Sequence, residues 1–368
     1  MAADMDWRKA IALVGVLAGV WASHATTPPL NTNRTEVLDY FAENVYGRRP
    51  DLSSFKKTCS VVDRGLDAAH KALRKDIALN VMTPLGETNF TAVLMLPQTA
   101  EAKRVPCFVY IAFARPDDVL ATSPKSDVKP YRWPVSEIVA HGYATVAFYY
   151  RDVFPDKEEG ICAWGRLPDR SPNAWGGISA WALATSRVMD YLETDPFVDA
   201  SKVAVVGHSR LGKTALWAAA TDGRFAYAVV NDSGCLGARV STRNIADAEP
   251  REWSNRSING GETIEYITRT FPHWFAPKCR TQFAGKDADL PFDQHWLIAA
   301  VAPRLVTVGS AENDHWACPS GEHAGLDLAR PAWGAAQDCC HYHIRPGGHD
   351  LLVCDWLDYM DFAKKHGW

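Results

Sequence analysis

The sequence predicts an α/β fold: a doubly wound, mostly parallel sheet held between two layers of helices, a three-layer αβα sandwich. Three observations carry this expectation. Short, β-rich apolar runs recur along the chain with helical stretches between them, the alternation that builds parallel sheets through crossover helices. One such run, residues 203–206 (VAVV), passes through Gly207-His208-Ser209-Arg210 straight into a helical stretch at 211–220. The loops predicted after two later strands carry a carboxylate and a histidine, at the strand ends where open α/β sheets place their ligands.

Taken in order, residues 10–22 (AIALVGVLAGVWA) are apolar, follow Arg8 and Lys9, and are too short to span a bilayer. Ser23-His24-Ala25 offers a small-x-small cleavage site, so residues 1–25 read as a secretory signal peptide. The mature protein is then expected to be secreted or periplasmic, without a membrane segment. Residues 35–46 form a helical pattern, with Val37, Leu38, Phe41 and Val45 at helical spacing. Residues 77–83 and 90–96 read as paired strands across a turn at 84–86. Residues 105–113 and 144–149 are continuous apolar runs, as expected of strands covered on both faces, with 134–141 crossing between them. A long helix at 177–192 delivers the chain to the strand at 203–206. Strands at 226–231, 304–310 and 341–345 complete the sheet, with helices near 293–300 and 355–366. No repeat, low-complexity tract or linker divides the chain, so residues 26–368 are expected to form one domain.

Composition sets limits on function. The chain has 368 residues, of which 47% are hydrophobic, enough for a large core. A formal net charge of −4 gives no electrostatic case for nucleic acid or an anionic membrane as partner. Nine cysteines after an export signal permit disulfides, and the odd count leaves at least one thiol outside any intrachain pair. No C-x-x-C pair occurs, and the adjacent Cys339-Cys340 is not a metal-ligand spacing. No metal and no cofactor are expected.

The chemistry concentrates at three places. A buried strand that stops at a glycine and turns at once into a helix is the nucleophile elbow of the α/β-hydrolase fold. The turn holds the Ser209 hydroxyl proud of the sheet, and the helix N-terminus directs free N–H groups at any oxyanion formed there. The pattern departs from G-x-S-x-G, because Leu211 stands in place of the second glycine and Gly212 comes one later. After the strand at 304–310 comes Ala311-Glu312-Asn313-Asp314-His315-Trp316. After that at 341–345 comes Pro346-Gly347-Gly348-His349-Asp350. The order Ser209, Asp314, His349 is the one this fold uses. His349 would take the Ser209 proton, and an acid would fix the imidazole tautomer and steady its charge. Asp314 is the first candidate for that acid. Asp232, after the strand at 226–231, is a second, and Glu312 stands in reserve.

With these elements in hand, the chain resembles the bacterial branch of the glucuronoyl esterases, a carbohydrate esterase family. The shared text is G-H-S-R-L-G-K at 207–213, N-D-S-G-C at 231–235, G-E-T-I at 261–264 and F-P-H-W-F at 271–275. It continues with L-P-F-D-Q-H at 290–295, A-P-R at 302–304 and S-A-x-x-D-x-W at 310–316, while Trp181, Arg187 and Asp190-Tyr191-Leu192 fit the pattern upstream. The likeness runs from about Glu36 to the C-terminus. It implies a serine esterase cleaving esters of (4-O-methyl-)glucuronic acid, as in lignin–xylan cross-links, through an acyl-enzyme. The implied partner is a glucuronoxylan or lignin–carbohydrate ester. It implies further that Arg210 serves the oxyanion. Lys213 and Glu262 would bind ring hydroxyls, and Trp316 would wall the sugar site. Without the resemblance, Lys213 reads as a solvated helix residue and Glu262 as a loop charge.

Several departures qualify the likeness. Trp316-Ala317-Cys318-Pro319 stands where family members often have W-A-D-P. The fungal branch has glutamate where this chain has Asp232, which is one methylene shorter and so fits the acid role less well. His208 stands where that branch has cysteine. The polar segment 241–259 is longer than usual for the family. Two other readings use the same residues: an acetyl xylan esterase with the same triad, and a glycan-binding descendant without catalysis. The second has no need of a paired Ser209 and His349.

Overall fold

The computed structural model describes residues 27–51, 55–83, 86–101, 103–157, 171–242 and 261–368. The expected signal peptide and residues 243–259 of the polar segment lie outside the described residues. Nine strands form one sheet: β1 (Lys56–Asp67), β2 (Ala72–Thr83), β3 (Gly86–Pro97), β4 (Val105–Ala112), β5 (Ala144–Tyr149), β6 (Val198–His208), β7 (Tyr227–Asn231), β8 (Leu305–Ala311) and β9 (Cys340–Arg345). Their order is β1-β2-β3-β5-β4-β6-β7-β8-β9. From β5 to β9 all pairings are parallel, while β1, β2 and β3 pair antiparallel and β3 joins β5 antiparallel. The chain therefore has the mostly parallel α/β-hydrolase sheet that its alternating pattern predicts, with an antiparallel extension at one edge.

Eleven helices flank this sheet among the described residues: α1 (Arg34–Phe41), α2 (Pro116–Leu120), α3 (Val135–Ala140), α4 (Tyr150–Val153), α5 (Gly177–Leu192), α6 (Arg210–Thr221), α7 (Ile264–Thr270), α8 (Pro277–Phe283), α9 (Gln294–Ala299), α10 (Pro319–Ala329) and α11 (Val353–Lys365). Central strands feed two cores in strict alternation, because successive side chains point to opposite faces. Cys107, Val109 and Ile111 of β4, with Val203 and Val205 of β6, pack on the side of α1, α5, α6 and α9. Phe108, Tyr110, Ala204 and Val206 pack on the other side, with Ile138 of α3 and Trp356, Tyr359 and Met360 of α11. Double burial is why these strands read as continuous apolar runs.

The sequence reading did not anticipate β1. Its residues are exposed almost throughout, and it carries Val61, Val62 and Leu66 facing solvent, so no alternation marks it. It forms because β2 offers a full ladder to pair with. Its lysines and the irregularity between Asp63 and Gly65 are the features that blunt an open sheet edge. The predicted strands at 77–83 and 90–96 belong to longer ones that pair from Ala72↔Pro97 to Thr83↔Gly86. The eight described cysteines are free thiols. Three of them, Cys107, Cys235 and Cys279, are wholly buried and fill the core as small apolar groups. Among the described residues, no helix is long and apolar enough to cross a membrane.

Candidate active site

The elbow is built from close approach. Ser209 sits at φ 59° and ψ −128°, a strained conformation for a residue with a side chain, between the end of β6 and the start of α6. A side-chain carbon on Gly207 would fall 1.8 Å from the Leu211 carbonyl oxygen, so only glycine lets the helix fold back over the strand. One on Gly212 would come 2.8 Å from the Asn231 carbonyl oxygen. The second close approach is thus to β7 at position 212, which leaves position 211 free to bury a leucine in the core. The N–H groups of Gly212 and Lys213 donate to the Ser209 carbonyl. Those of Arg210 and Leu211 open the helix, where intrahelical acceptors are lacking.

The histidine and its acid come from the loops after β9 and β8. His349 Nδ1 lies 2.5 Å from Asp314 Oδ2. Asp314 is 2% exposed, and its Oδ1 accepts the Ala317 N–H at 3.1 Å. The two loops are tied directly, since the Asn313 N–H donates to the Gly347 carbonyl at 2.9 Å. With Nδ1 engaged, Nε2 is the nitrogen of His349 left for a proton transfer, and the His349 side chain keeps 36% of its surface exposed. Its ring lies 4.5 Å from that of His208, the residue before Ser209. No hydrogen bond joins Ser209 to His349 here; such bonds often tighten only when substrate is bound.

Asp232 stands elsewhere in the site. It follows β7 at φ 42°, is 1% exposed, and neither carboxylate oxygen has a hydrogen-bond partner. The His208 Nδ1 and the Arg345 guanidinium each lie 3.7 Å from its Oδ2. Burial, then the charges of Asp314 and Glu322, push its carboxyl well above the usual range. His208 is held neutral by burial and by the neighbouring His349 and Arg132, and its Nδ1 bonds the Asn231 side chain at 2.7 Å. The ligand atoms of His208, Asp232 and His349 lie within 4.8 Å of one another, a spacing open to a metal ion. Such an ion would compete for Asp232 with the Arg345 cation, 3.7 Å from its Oδ2. Glu312 is exposed and makes no bond to His349.

The three residues expected to bind a sugar are brought together. Lys213 and Glu262 are both 3% exposed, with Lys213 Nζ 3.3 Å from Glu262 Oε2 and also donating to the Ser233 carbonyl. The Glu262 N–H donates to the Trp316 carbonyl at 3.1 Å, and the half-buried Trp316 ring meets Tyr266 edge-on at 4.9 Å. The structure thus buries Lys213 rather than leaving it on a solvated helix face.

Three supporting residues were missed in the sequence. Glu322 of α10, wholly buried, accepts from the Ser233 N–H and hydroxyl, the Gly234 N–H and the Ser310 hydroxyl, and so joins the loop after β7 to β8. Asp350 accepts from Lys129, Tyr131 and Arg132, anchoring the residue after His349. Asp156 binds the Arg210 guanidinium. Asp350 had a local signal in its adjacency to the histidine. The other two had none.

Comparison with known proteins fits this geometry. The family described as "Glucuronyl esterase, fungi" matches residues 86–336. A carbohydrate esterase from an unknown prokaryotic organism is 34% identical over 90% of this chain and 84% of its own. A 4-O-methyl-glucuronoyl methylesterase of Podospora anserina is 28% identical over 54% of this chain and 40% of its own. A solved glucuronoyl esterase from Solibacter usitatus is 30% identical, covering 96% of this chain and 100% of its own with a TM-score of 0.78. The matched share of the chain and the identity to a prokaryotic relative along most of both sequences place this protein in the glucuronoyl esterase family, whose members are carboxylic ester hydrolases.

Proposed function

We propose that the chain hydrolyses esters of (4-O-methyl-)glucuronic acid, such as those joining xylan to lignin alcohols, with Ser209 as nucleophile, His349 as base and Asp314 as its acid. The observation that carries this reading is the 2.5 Å bond from His349 Nδ1 to the buried Asp314, beside a strained serine at a helix N-terminus. Ser209 Oγ attacks the carboxyl carbon of the glucuronate while His349 Nε2 takes its proton. Asp314 holds the tautomer that leaves Nε2 able to do so. The oxyanion is met by the Arg210 N–H at the head of α6 and by the guanidinium. Collapse expels the alcohol, protonated by His349, and leaves the sugar carboxyl esterified to Ser209. A water activated by His349 then releases the acid.

The buried Lys213–Glu262 pair supports a hydroxyl-bearing substrate, because a buried charged donor and acceptor suit ring hydroxyls better than an apolar acyl group. In this reading residues 26–368 form the catalytic domain, and residues 1–25 direct export to the periplasm or medium. Recovery of the native protein from its host with Met1 intact would remove the export claim. The central experiment compares benzyl glucuronate with p-nitrophenyl acetate for wild type and Ser209→Ala. Wild type should prefer the glucuronate, and the variant should lose about three to six orders of magnitude in kcat on both. Turnover of the acetate alone would rule out the substrate, and near-wild-type turnover by Ser209→Ala would rule out the nucleophile.

A further inference from the structure

The carboxylate of Asp156, in the loop after α4, is the meeting point of four side-chain donors. Its Oδ2 accepts from the Arg210 guanidinium and from the Tyr150 hydroxyl at 2.8 Å. Its Oδ1 accepts from His273 Nε2 at 2.9 Å and Trp274 Nε1 at 2.7 Å. The side chain is 3% exposed. An ion buried this deeply is tolerable only when its lone pairs are filled by strong donors. Burial works against its charge, but the His273 bond, the Arg210 charge and the Trp274 and Tyr150 bonds hold the carboxyl well below the usual range.

Arg210 is confined from its other sides as well. Its guanidinium carbon lies 4.7 Å from the Trp274 ring, 5.6 Å from Phe271 and 5.8 Å from Phe113. The Phe271 and Trp274 rings are themselves stacked at 3.9 Å and 2°. Asp156 uses one end of the guanidinium. The Nε–H at the other end is buried and has no partner among the described residues. A long cationic side chain beside a nucleophile would ordinarily have its rotamers to freeze as the oxyanion forms. Here the freezing is done beforehand, and donors fixed before reaction are the ones worth most to a transition state.

We propose that Asp156 is a positioning residue for ester hydrolysis, fixing the guanidinium of Arg210, the residue after Ser209, in one orientation so that the part of it left open to the site, 24% of the side-chain surface, meets the oxyanion. This rests on the reading of Ser209 as nucleophile and Arg210 as oxyanion donor. The role belongs to the transition state, so it acts on kcat and only through Arg210. Asp156→Asn removes the charge and sets an amide N–H against two of the four donors, freeing the guanidinium to move.

The test is a double-mutant cycle of Asp156→Asn with Arg210→Ala, run on benzyl glucuronate and p-nitrophenyl acetate. On the wild-type background Asp156→Asn should lower kcat about 10- to 100-fold, with KM within about threefold, a part of what a lost oxyanion donor costs. On the Arg210→Ala background it should cost less than about twofold. Equal losses on both backgrounds, or a loss carried by KM, would overturn the proposal and leave Asp156 a structural ion-pair partner. Should Asp156→Asn not fold, Tyr150→Phe takes its place in the cycle, since it removes one bond from Oδ2 and keeps the charge. Its loss of about two- to fivefold must then vanish with Arg210→Ala, and an additive loss overturns the proposal. Wild-type turnover of the acetate without the glucuronate would sink the substrate assignment while leaving the cycle readable. A chain that turns over neither ester ends both claims.

Discussion

The choice between two buried aspartates gives the sharpest prediction. Asp314→Asn should lower kcat by about 10³–10⁴, whereas Asp232→Asn should cost about tenfold or less. The difference follows from what each carboxylate touches. Asp314 Oδ1 takes the Ala317 N–H and Oδ2 faces His349 Nδ1. An asparagine in that place would turn its carbonyl oxygen to the Ala317 N–H and its amide nitrogen to His349. The imidazole would then accept at Nδ1, keep its proton on Nε2, and be unable to receive the one from Ser209. Asp232 has no hydrogen bond on either oxygen and its carboxyl is pushed toward neutrality, so an amide changes little there. Steady-state kcat on benzyl glucuronate for the two variants, with thermal melts to confirm folding, decides the matter. A crippled Asp232→Asn beside a healthy Asp314→Asn would refute the reasoning. Two mild single variants with a severe double would mean that the aspartates share the role.

Two further predictions concern recognition and stability. Lys213→Ala and Glu262→Ala should lower kcat/KM for glucuronate esters about ten- to hundredfold, by about 1.5–3 kcal/mol, and spare p-nitrophenyl acetate. Equal losses on both esters, or melts showing unfolding from the charge left unpaired, would assign the pair to the fold. Stability should fall with rising pH in two windows. Burial works against hydrogen bonds from Gly234, Ser310 and Ser233 and pushes Glu322 up to about 7 from an ordinary 4.5. A raised folded value means its contribution is full below pH 4.5 and lost as pH passes 7. His343 is held at about 9, because bonds to Asp355 and Asp358 outweigh its burial, so its contribution is full below pH 6.5 and lost through pH 9. Each window is worth about 3 kcal/mol at most. Urea melts at pH 4.5, 7 and 9.5 should show Glu322→Gln flattening the first step and His343→Gln the second, and unchanged slopes would contradict the assignment.

What could be read from the sequence was what local chemistry encodes. A glycine before a serine, a helix without turn residues after it, and glycines around His349 are signals carried within a few residues. They marked the elbow and the loops that hold Asp314 and His349. The central strands were legible because burial on both faces makes them uniformly apolar. β1 was not, since an exposed edge strand needs only a neighbour's backbone and carries no pattern of its own. Asp156 and Glu322 were invisible for another reason. Asp156 meets Arg210 across 54 residues and His273 across 117, and Glu322 reaches Ser233 across 89. An isolated acid in a loop or helix says nothing of donors so far along the chain. The same distance hid the pairing of Lys213 with Glu262, 49 residues apart, which spacing alone would have left as two solvated charges.

The placement of the site residues follows from the parallel ladder running past its strands. The Ser209 N–H donates to the Asn231 carbonyl of β7 at 2.9 Å, and the Asp232 N–H to the Gly309 carbonyl of β8 at 2.7 Å. The Glu312 N–H donates to the Arg345 carbonyl of β9 at 2.9 Å. Each strand end thus hands the first turn of its loop to the next strand across the sheet. In-register pairs His208↔Asn231, Asn231↔Gly309 and Ala311↔Arg345 stand immediately before these bonds. A residue one position beyond such a pair has its backbone fixed as firmly as one inside the sheet, while its φ is free of strand geometry. That is how Ser209 and Asp232 keep positive φ values without a glycine. The strain at Ser209 is then held by its bond to β7 as well as by its own turn. A substitution that loosens the ladder, such as proline at Gly309 or Asn231, would release the elbow even though it touches neither Ser209 Oγ nor His349.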